Sequence, residues 1–466
     1  MNYKTTHPVL IFEGIYKLIF LLLIPLVRGF AATLDGGFYR WIRGAWADVA
    51  VLFVILTAAV LRWWLTLYAF DGRSISLRGG LFLYTDKRIP LEKLTSVNFE
   101  EPWYYRPFSA VRVRFDTLAK SGRRADISLV LSKGEAKRIF TALCRERKES
   151  RKISSPNLKN VIIISAFVSN FVAGAGLVLA FFARVGTLLE KDFAGELKQI
   201  FLLDSRRIVT VAALITAVGW VTAFCINLVR YTHLTISKDE DTLIIRGGAF
   251  TRRTVLVRRD KIDFINMQQG LFTRLFGLCT VFCHTAGVGK KKGDLTALTP
   301  AGENVETDSN IKELFPEFAR SKIIVKPPKK SLLRFVADPL WLLVPTLTVA
   351  AVAGVLHFKI LLTLAFFVSI PATWWLLVRI VDLITSGMGG CEDSLTLSYS
   401  TLFKLNTVII PRKKIAAVKF RQSPFQRLDK RCDIFVYSKG ENPRRHRIRN
   451  VDGKTAKKLL RMKKDG

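Results

Sequence analysis

The chain has 466 residues, half of them hydrophobic, and carries a formal charge of +35 from 72 basic and 37 acidic side chains. On a soluble chain that charge would point to nucleic acid, but long uncharged apolar runs redirect it to a membrane surface, where basic side chains meet anionic headgroups. The six cysteines show no framework spacing, as expected of a reducing compartment and not of a disulfide-stapled secreted fold.

The first apolar arm, residues 9–30, carries Glu13, Lys17, Pro25 and Arg28, and the second, 49–68, carries only Arg62. Arg62 beside Trp63 and Trp64 suits a membrane edge, where a long basic side chain snorkels to the headgroups. A cleaved leader is the rival reading of the first arm, but no Ala-x-Ala site follows and a second arm comes at once, so the pair reads as a hairpin of two spans. Ser74 to Arg78, Gly79-Gly80 and Leu81 to Ile89 then read as strand, glycine turn, strand. Val111-Arg-Val-Arg-Phe115 alternates apolar with basic residues, which predicts a strand with one wet, cationic face. Ser132-Lys-Gly-Glu135 is a capping box, and Ala136, Ile139, Phe140 and Leu143 follow at helical spacing.

The second and third hairpins are stronger. Residues 161–183, 208–229, 339–357 and 360–378 contain no charged side chain apart from the boundary His357, and each approaches the ~20 residues needed to cross a ~30 Å hydrocarbon layer. After the second hairpin, Thr242 to Arg246, Gly247-Gly248 and Ala249 to Val257 repeat the strand, turn, strand pattern. Its closing helix is legible only from Ser309 to Leu314, before Pro316, so a short or broken helix is expected. After the third, Asp452 is placed to cap a helix with Ala456, Leu459 and Leu460 along one stripe.

One phrase returns after each hairpin: Arg88-Ile-Pro-Leu-Glu-Lys-Leu-Thr-Ser-Val97, Val255-Leu-Val-Arg-Arg-Asp-Lys-Ile-Asp-Phe-Ile265 and Ile409-Ile-Pro-Arg-Lys-Lys-Ile-Ala-Ala-Val418. A shift of 168 residues carries Arg78 onto Arg246, Lys93 onto Lys261 and Arg106 onto Arg274, and a shift of 321 carries Pro90, Lys93 and Arg106 onto Pro411, Lys414 and Arg427. The architecture is therefore a tandem array. Basic residues crowd the long segments, from Lys133 to Lys152 and from Arg252 to Lys261, and flank the spans at Arg230 and Arg379. By the positive-inside rule these segments and both termini are expected on the cytoplasmic side.

The paired spans, the glycine turn, the Ile-Pro-x-x-Lys-Ile-x-x-Val phrase and a downstream Gln-x-x-Phe-x-Arg together resemble the bacterial pleckstrin-homology-like (PH-like) family called bPH2, formerly DUF304. The last element stands as Gln269-Gly-Leu-Phe-Thr-Arg274 and Gln422-Ser-Pro-Phe-Gln-Arg427; the first copy departs from it with Glu101-Pro-Trp-Tyr-Tyr-Arg106, and the third has Tyr399-Ser400-Thr401 in place of the Gly-Gly turn. Three such domains behind hairpins are similar to the YdbT-like group of polytopic membrane proteins. The resemblance implies six transmembrane helices and three bent, partly closed β-barrels, each capped by a C-terminal helix. Hairpins would occupy 1–68, 154–229 and 326–378, and PH-like domains 69–153, 230–325 and 379–466. A smaller PH-like-domain membrane protein is the partner the resemblance implies. It does not imply phosphoinositide binding, since fold alone does not carry function.

Gly287 to Gly293 holds Lys290, Lys291 and Lys292 but lacks P-loop spacing, and reads as a solvated basic turn able to touch lipid phosphate. The repeated Lys93, Lys261 and Lys414 with Arg106, Arg274 and Arg427 are the other candidates for a lipid or partner surface, against a structural reading in which they pair with local carboxylates such as Glu92 or Asp260. Cys279, Cys283 and His284 lack an evident fourth ligand and read as core packing. The five histidines are scattered and no hydrolase or metalloprotease motif appears, so no catalytic residue, metal or cofactor is assigned. Transport would need polar groups at membrane depth, for which Glu13, Lys17, Asn170 and Asn227 are the candidates. The basic alternation of Val111 to Phe115 and the run Arg444-Arg-His-Arg-Ile-Arg449 would suit phosphate contacts, but nucleic-acid binding is set aside because the aromatic residues lie chiefly in spans and cores. The expected function is a non-enzymatic scaffold at the inner face of a bacterial plasma membrane, contacting anionic lipids or proteins. A transporter, a transport accessory subunit or a membrane-bound enzyme are the alternatives.

Overall fold

The computed structural model describes residues 3–13, 15, 50, 53–80, 84–117, 126–144, 151–154, 157–168, 205–231, 234–239, 242–285, 297–439 and 444–461. Its strands, in chain order, are β1 (Lys4–Thr5), β2 (Leu67–Phe70), β3 (Ser74–Gly79), β4 (Thr85–Pro90), β5 (Leu94–Pro102), β6 (Ala110–Thr117), β7 (Ile127–Ser132), β8 (Arg151–Ser154), β9 (Thr235–Asp239) and β10 (Thr242–Gly247). They continue with β11 (Thr251–Arg258), β12 (Ile262–Gln269), β13 (Leu278–Thr285), β14 (Ala297–Glu303), β15 (Gly387–Gly390), β16 (Ser394–Thr401), β17 (Lys404–Pro411), β18 (Ile415–Arg421), β19 (Arg431–Ser438) and β20 (Arg445–Asp452). The labelled helices are α1 (Lys133–Leu143), α2 (Leu158–Val168), α3 (Ser205–Tyr231), α4 (Leu271–Leu275), α5 (Asn304–Leu314), α6 (Leu332–Val355), α7 (Lys359–Thr385), α8 (Pro424–Leu428) and α9 (Gly453–Arg461).

The repeat in the sequence is a repeat of elements. Its phrase folds each time as the end of a strand, one 3₁₀ turn and the start of the next strand. The turns lie at Leu91–Lys93, Arg259–Lys261 and Arg412–Lys414, at shifts of 168 and 321, and β6, β13 and β19 keep those shifts at both ends. Pro90 and Pro411 stand before their turns with φ of −63° and −58°, the value their rings impose, and lack the N–H that would extend the ladder. Each repeat is thus a leading hairpin, a turn, a three-stranded meander and a helix.

The chain forms two compact units, Met1–Arg151 with Asp239–Arg259, and Lys152–Lys238 with Asp260–Gly466. The first contains the sheet β1-β2-β3-β4 and a second sheet in which β7-β6-β5 runs on into β11-β10. The second contains β14-β13-β12 running on into β17-β16-β15, and the three-stranded β18-β19-β20. The resemblance implied bent, partly closed barrels, and among the described residues no sheet closes into one. The meander of one repeat instead takes the leading hairpin of the next into one antiparallel sheet. Val97 pairs with Leu256 at the first junction and Ile265 with Ile409 at the second. Under the repeat shifts these are the same two positions, so both junctions use one register.

The first core joins Ile75, Val97, Phe115 and Leu129 to Ile139 of α1, and Leu256 from the following repeat completes it. In the second unit Leu397, Val408, Ile434 and Ile448 pack with Ala456 and Leu459 of α9. Ser132 Oγ accepts from the Glu135 amide and Asp452 Oδ2 from the Thr455 amide, but the capping box read at Ser132 is only half formed, because the Glu135 carboxylate accepts from Lys4 Nζ and Tyr68 Oη instead. The closing helix of the second repeat is longer than expected, running from Asn304 for 11 residues. Its cap residue, Glu303, makes no side-chain capping bond, and the start is held instead by tertiary contact, with buried Thr307 beside Cys279 at 3.7 Å.

The wet cationic face expected along Val111 to Phe115 is a further correction. Arg114 is buried and Arg112 nearly so, because the helical residues 9–13 lie over this face with Val9 against Tyr105, Ala110 and Val130. Arg112 pairs with Glu13, and Arg114 with Glu100.

Among the described residues two segments, Lys329–Val355 and Leu364–Thr385, are long and apolar enough to cross a membrane. Only 22% of each apolar window is buried within the protein, which separates them from core helices. Pro345 and Pro371 lie inside α6 and α7 without ending them. Most of the first hairpin and residues 169–204 of the second lie outside the described residues.

Candidate functional site

The Gln-x-x-Phe-x-Arg motif folds as the short helices α4 and α8, and the divergent first copy as a 3₁₀ segment, Trp103–Phe108. In α8, Ser423 Oγ accepts from the Gln426 amide while Gln426 Oε1 accepts from the Ser423 amide, a reciprocal cap that fixes the turn. With its polar residues spent on capping, the segment turns its apolar side chains outward. Phe108, Phe272, Leu275, Phe425 and Leu428 are all exposed. In the first two copies these residues meet helices of the hairpins: Phe108 stacks on Phe12 at 5.7 Å, and Phe272 lies 4.9 Å from Phe167 and 5.0 Å from Trp374. In the third copy Phe425 stands beside an open cavity.

That cavity holds about 600 Å³ and is lined by Arg334 near the start of α6, Arg421 at the end of β18, Phe425 of α8, Asp433 of β19, and Arg447 and Arg449 of β20. Alternation along Arg445-His-Arg-Ile-Arg449 puts the three arginines on one face while His446 and Ile448 point to the core. Four guanidinium groups therefore face a single lining carboxylate. Arg447 binds Asp433 Oδ2 at 2.6 and 3.1 Å, Arg449 binds Asp338 at 2.7 Å, and Arg334 binds Asp429 at 2.9 Å and Asn450 at 2.6 Å. Burial alone would raise the Asp433 carboxyl, but hydrogen bonds from Asn450, Arg447 and Gln426 outweigh it and hold the group below its ordinary range. Asp433 thus stays charged and anchors the rim. Arg421 has no carboxylate partner among the described residues. A planar fork left over in a cationic pocket suits a phosphate or carboxylate group.

The repeated basic positions are distributed differently. Arg106 donates to the carbonyls of Ala249 and Phe250, at 2.7 and 3.1 Å, next to the Gly247-Gly248 turn of the second repeat. Lys414 donates to the Asp260 carbonyl at 2.8 Å and lies 3.9 Å from Asp263. Lys261 pairs with Asp260 at 3.1 Å. Arg106 and Lys414 therefore tie adjacent repeats together, while Lys93, Arg274 and Arg427 are exposed. Lys290, Lys291 and Lys292 lie outside the described residues. Arg447 and Arg449 belong to the basic run Arg444 to Arg449 that suits phosphate contacts on sequence alone, whereas Arg334 and Arg421 were not among the candidates from sequence.

Cys279 and Cys283 are buried, and His284 stacks on Phe264 at 4.4 Å. Burial pushes Cys279 up to about 11 and His284 down to about 3, as in an apolar core. Among the described residues no group of three or more metal-ligating side chains comes together.

Three hairpin-turn-meander-helix units in tandem, with membrane-length helices beside them, define a class of PH-like membrane protein. The chain belongs to the bacterial PH domain family (bPH_2), which matches residues 19–147, 167–308 and 342–465. It is similar to the UPF0699 transmembrane protein YdbT of Bacillus subtilis (strain 168), with 24% identity over 416 residues that cover 81% of each chain. No solved structure matches it significantly.

Proposed function

We propose that the protein is a non-enzymatic scaffold of the bacterial plasma membrane, with six spans and its PH-like domains on the cytoplasmic side, and that the arginine-lined cavity of the third repeat receives an anionic lipid headgroup. The cavity carries this reading: four guanidinium groups converge beside the start of an apolar helix, exposed Phe425 lines the cavity with them, and exposed Leu428 follows on the same short helix. A headgroup phosphate meets Arg421, and the acyl chains meet the apolar side chains. Each lipid-facing arginine at such a surface contributes about 1 kcal/mol, so selectivity comes from the pocket and not from the net charge. The test uses full-length protein in nanodiscs with varied headgroups at ~150 mM salt, where generic attraction is screened, and counts retained anionic lipid by native mass spectrometry. Arg421→Gln is expected to lose that lipid while keeping the fold. Equal retention by wild type and variant would leave only generic charge.

A further inference from the structure

The strands β5, β12 and β18 occupy one position in the repeat, and only the first two are covered. β5 pairs with β11 and β12 with β17, in the shared register described above, and both are buried along nearly their whole length. β18 is the edge of a three-stranded sheet, with Ala416, Ala417, Lys419 and Arg421 exposed. No described strand lies against its outer side. The irregularity that protects many edges gives no protection here, because the same register shift occurs in β5 and β12, which pair nonetheless.

The charge on this edge selects its occupant. At the first junction Glu100 and Glu101 face Arg253 and Arg252, with Glu100 3.7 Å from Arg253. At the second, Gln268 faces Asn406. The repeat shift places Arg421 at the Glu100 position, so the sign is reversed and the facing residue is acidic. A second copy of this chain does not supply it. Its own free equivalent is β4, the edge of the first unit's sheet. In the shared register β4 would set Val418 opposite Arg88, Lys419 opposite Lys87 and Arg421 opposite Thr85, which puts two lysines face to face and gives neither Lys419 nor Arg421 an acidic partner. Such head-to-tail pairing would also propagate without closing.

We propose that β18 is a docking edge for the leading hairpin of a PH-like domain on a different polypeptide, whose outer strand carries acidic residues opposite Lys419 and Arg421 and continues the sheet by β-strand addition.

The experiment uses full-length protein in nanodiscs and a peptide spanning residues 394–411, made in an acidic form (Asn406→Glu with Val408→Glu) and a basic form (the same positions to Lys). These two positions face Arg421 and Lys419 in the shared register. The acidic peptide is expected to bind at least ~10-fold more tightly than the basic one and to slow exchange of β18 amides. Lys419→Glu in the protein, a change at an exposed position of β18, is expected to erase or invert the preference. Equal binding of both peptides, or protection of β18 without peptide that rises with protein concentration and so marks self-pairing, would overturn the proposal.

Discussion

Glu100 tests whether the first junction is a true core. Its carboxylate is 3% exposed, accepts from Arg114 Nη2 at 2.6 Å and lies 3.7 Å from Arg253 across the β5–β11 pairing. The two partners differ in setting: the Arg114 side chain is 9% exposed and that of Arg253 22%. Glu100→Ala leaves the Arg114 guanidinium buried without its anion, a loss of about 3–5 kcal/mol, whereas Arg253→Ala removes a longer, wetter contact contributing about 1 kcal/mol. Since 1.4 kcal/mol is tenfold in an equilibrium, amide exchange of β5 and β11 should accelerate about 100-fold or more in Glu100→Ala and only about fivefold in Arg253→Ala. Replacing Glu100 and Arg114 together by Leu removes both charges and should return most of the protection. Hydrogen exchange on the full-length protein in nanodiscs reads all three variants. An effect below fivefold in Glu100→Ala, or one spread equally over the β12–β17 junction, would refute the reasoning.

Acid should loosen the third repeat: burial, with Arg444, lowers His446 to about 4, below its unfolded 6.5, so stability is complete above pH 6.5 and about 3 kcal/mol is lost as pH falls through 4. His446→Phe should flatten that part of the melting profile. Asp263 has the opposite sign, since burial raises it to about 6 despite Lys414; its stabilisation is present below pH 4 and is lost as pH rises through 6. Asp263→Asn should therefore raise the melting temperature at pH 7, by up to about 3 kcal/mol of stability. A Cβ at Gly389 would stand 2.1 Å from the Lys322 carbonyl oxygen, while one at Gly134 meets nothing within 4 Å. Gly389→Ala should be strongly destabilising, and Gly134→Ala should stabilise α1 by up to about 1 kcal/mol, both read by thermal melting.

Local chemistry was legible in the sequence, and partnership was not. The 168 and 321 shifts placed the 3₁₀ turns and β6, β13 and β19 because proline, glycine and alternating apolar residues act within a few positions. The same alternation says which face of β5 is buried but not which strand lies beside it, so the passage of β5 into β11 was invisible. Arg112 and Arg114 looked wet for that reason: their covers, Glu13 and Glu100, come from elsewhere in the fold. Glu13 accordingly stands as the counter-ion of Arg112. The cavity combines Arg334, Arg421, Arg447 and Arg449 from α6, β18 and β20, a convergence that no short motif records.

The sheet junctions also constrain how the chain threads the bilayer. Two strands that share backbone hydrogen bonds lie on one side of a membrane, because an open ladder cannot pass through hydrocarbon. The pairing of β5 with β11 therefore requires an even number of crossings between Pro102 and Thr251, and that of β12 with β17 an even number between Gln269 and Lys404. Helices α6 and α7 are the two candidate spans among the described residues of the latter interval. Each junction thus fixes the parity of whatever crossings it encloses, independently of the charge of the flanking loops, and a change from an even to an odd number would break a β-sheet as well as the membrane topology.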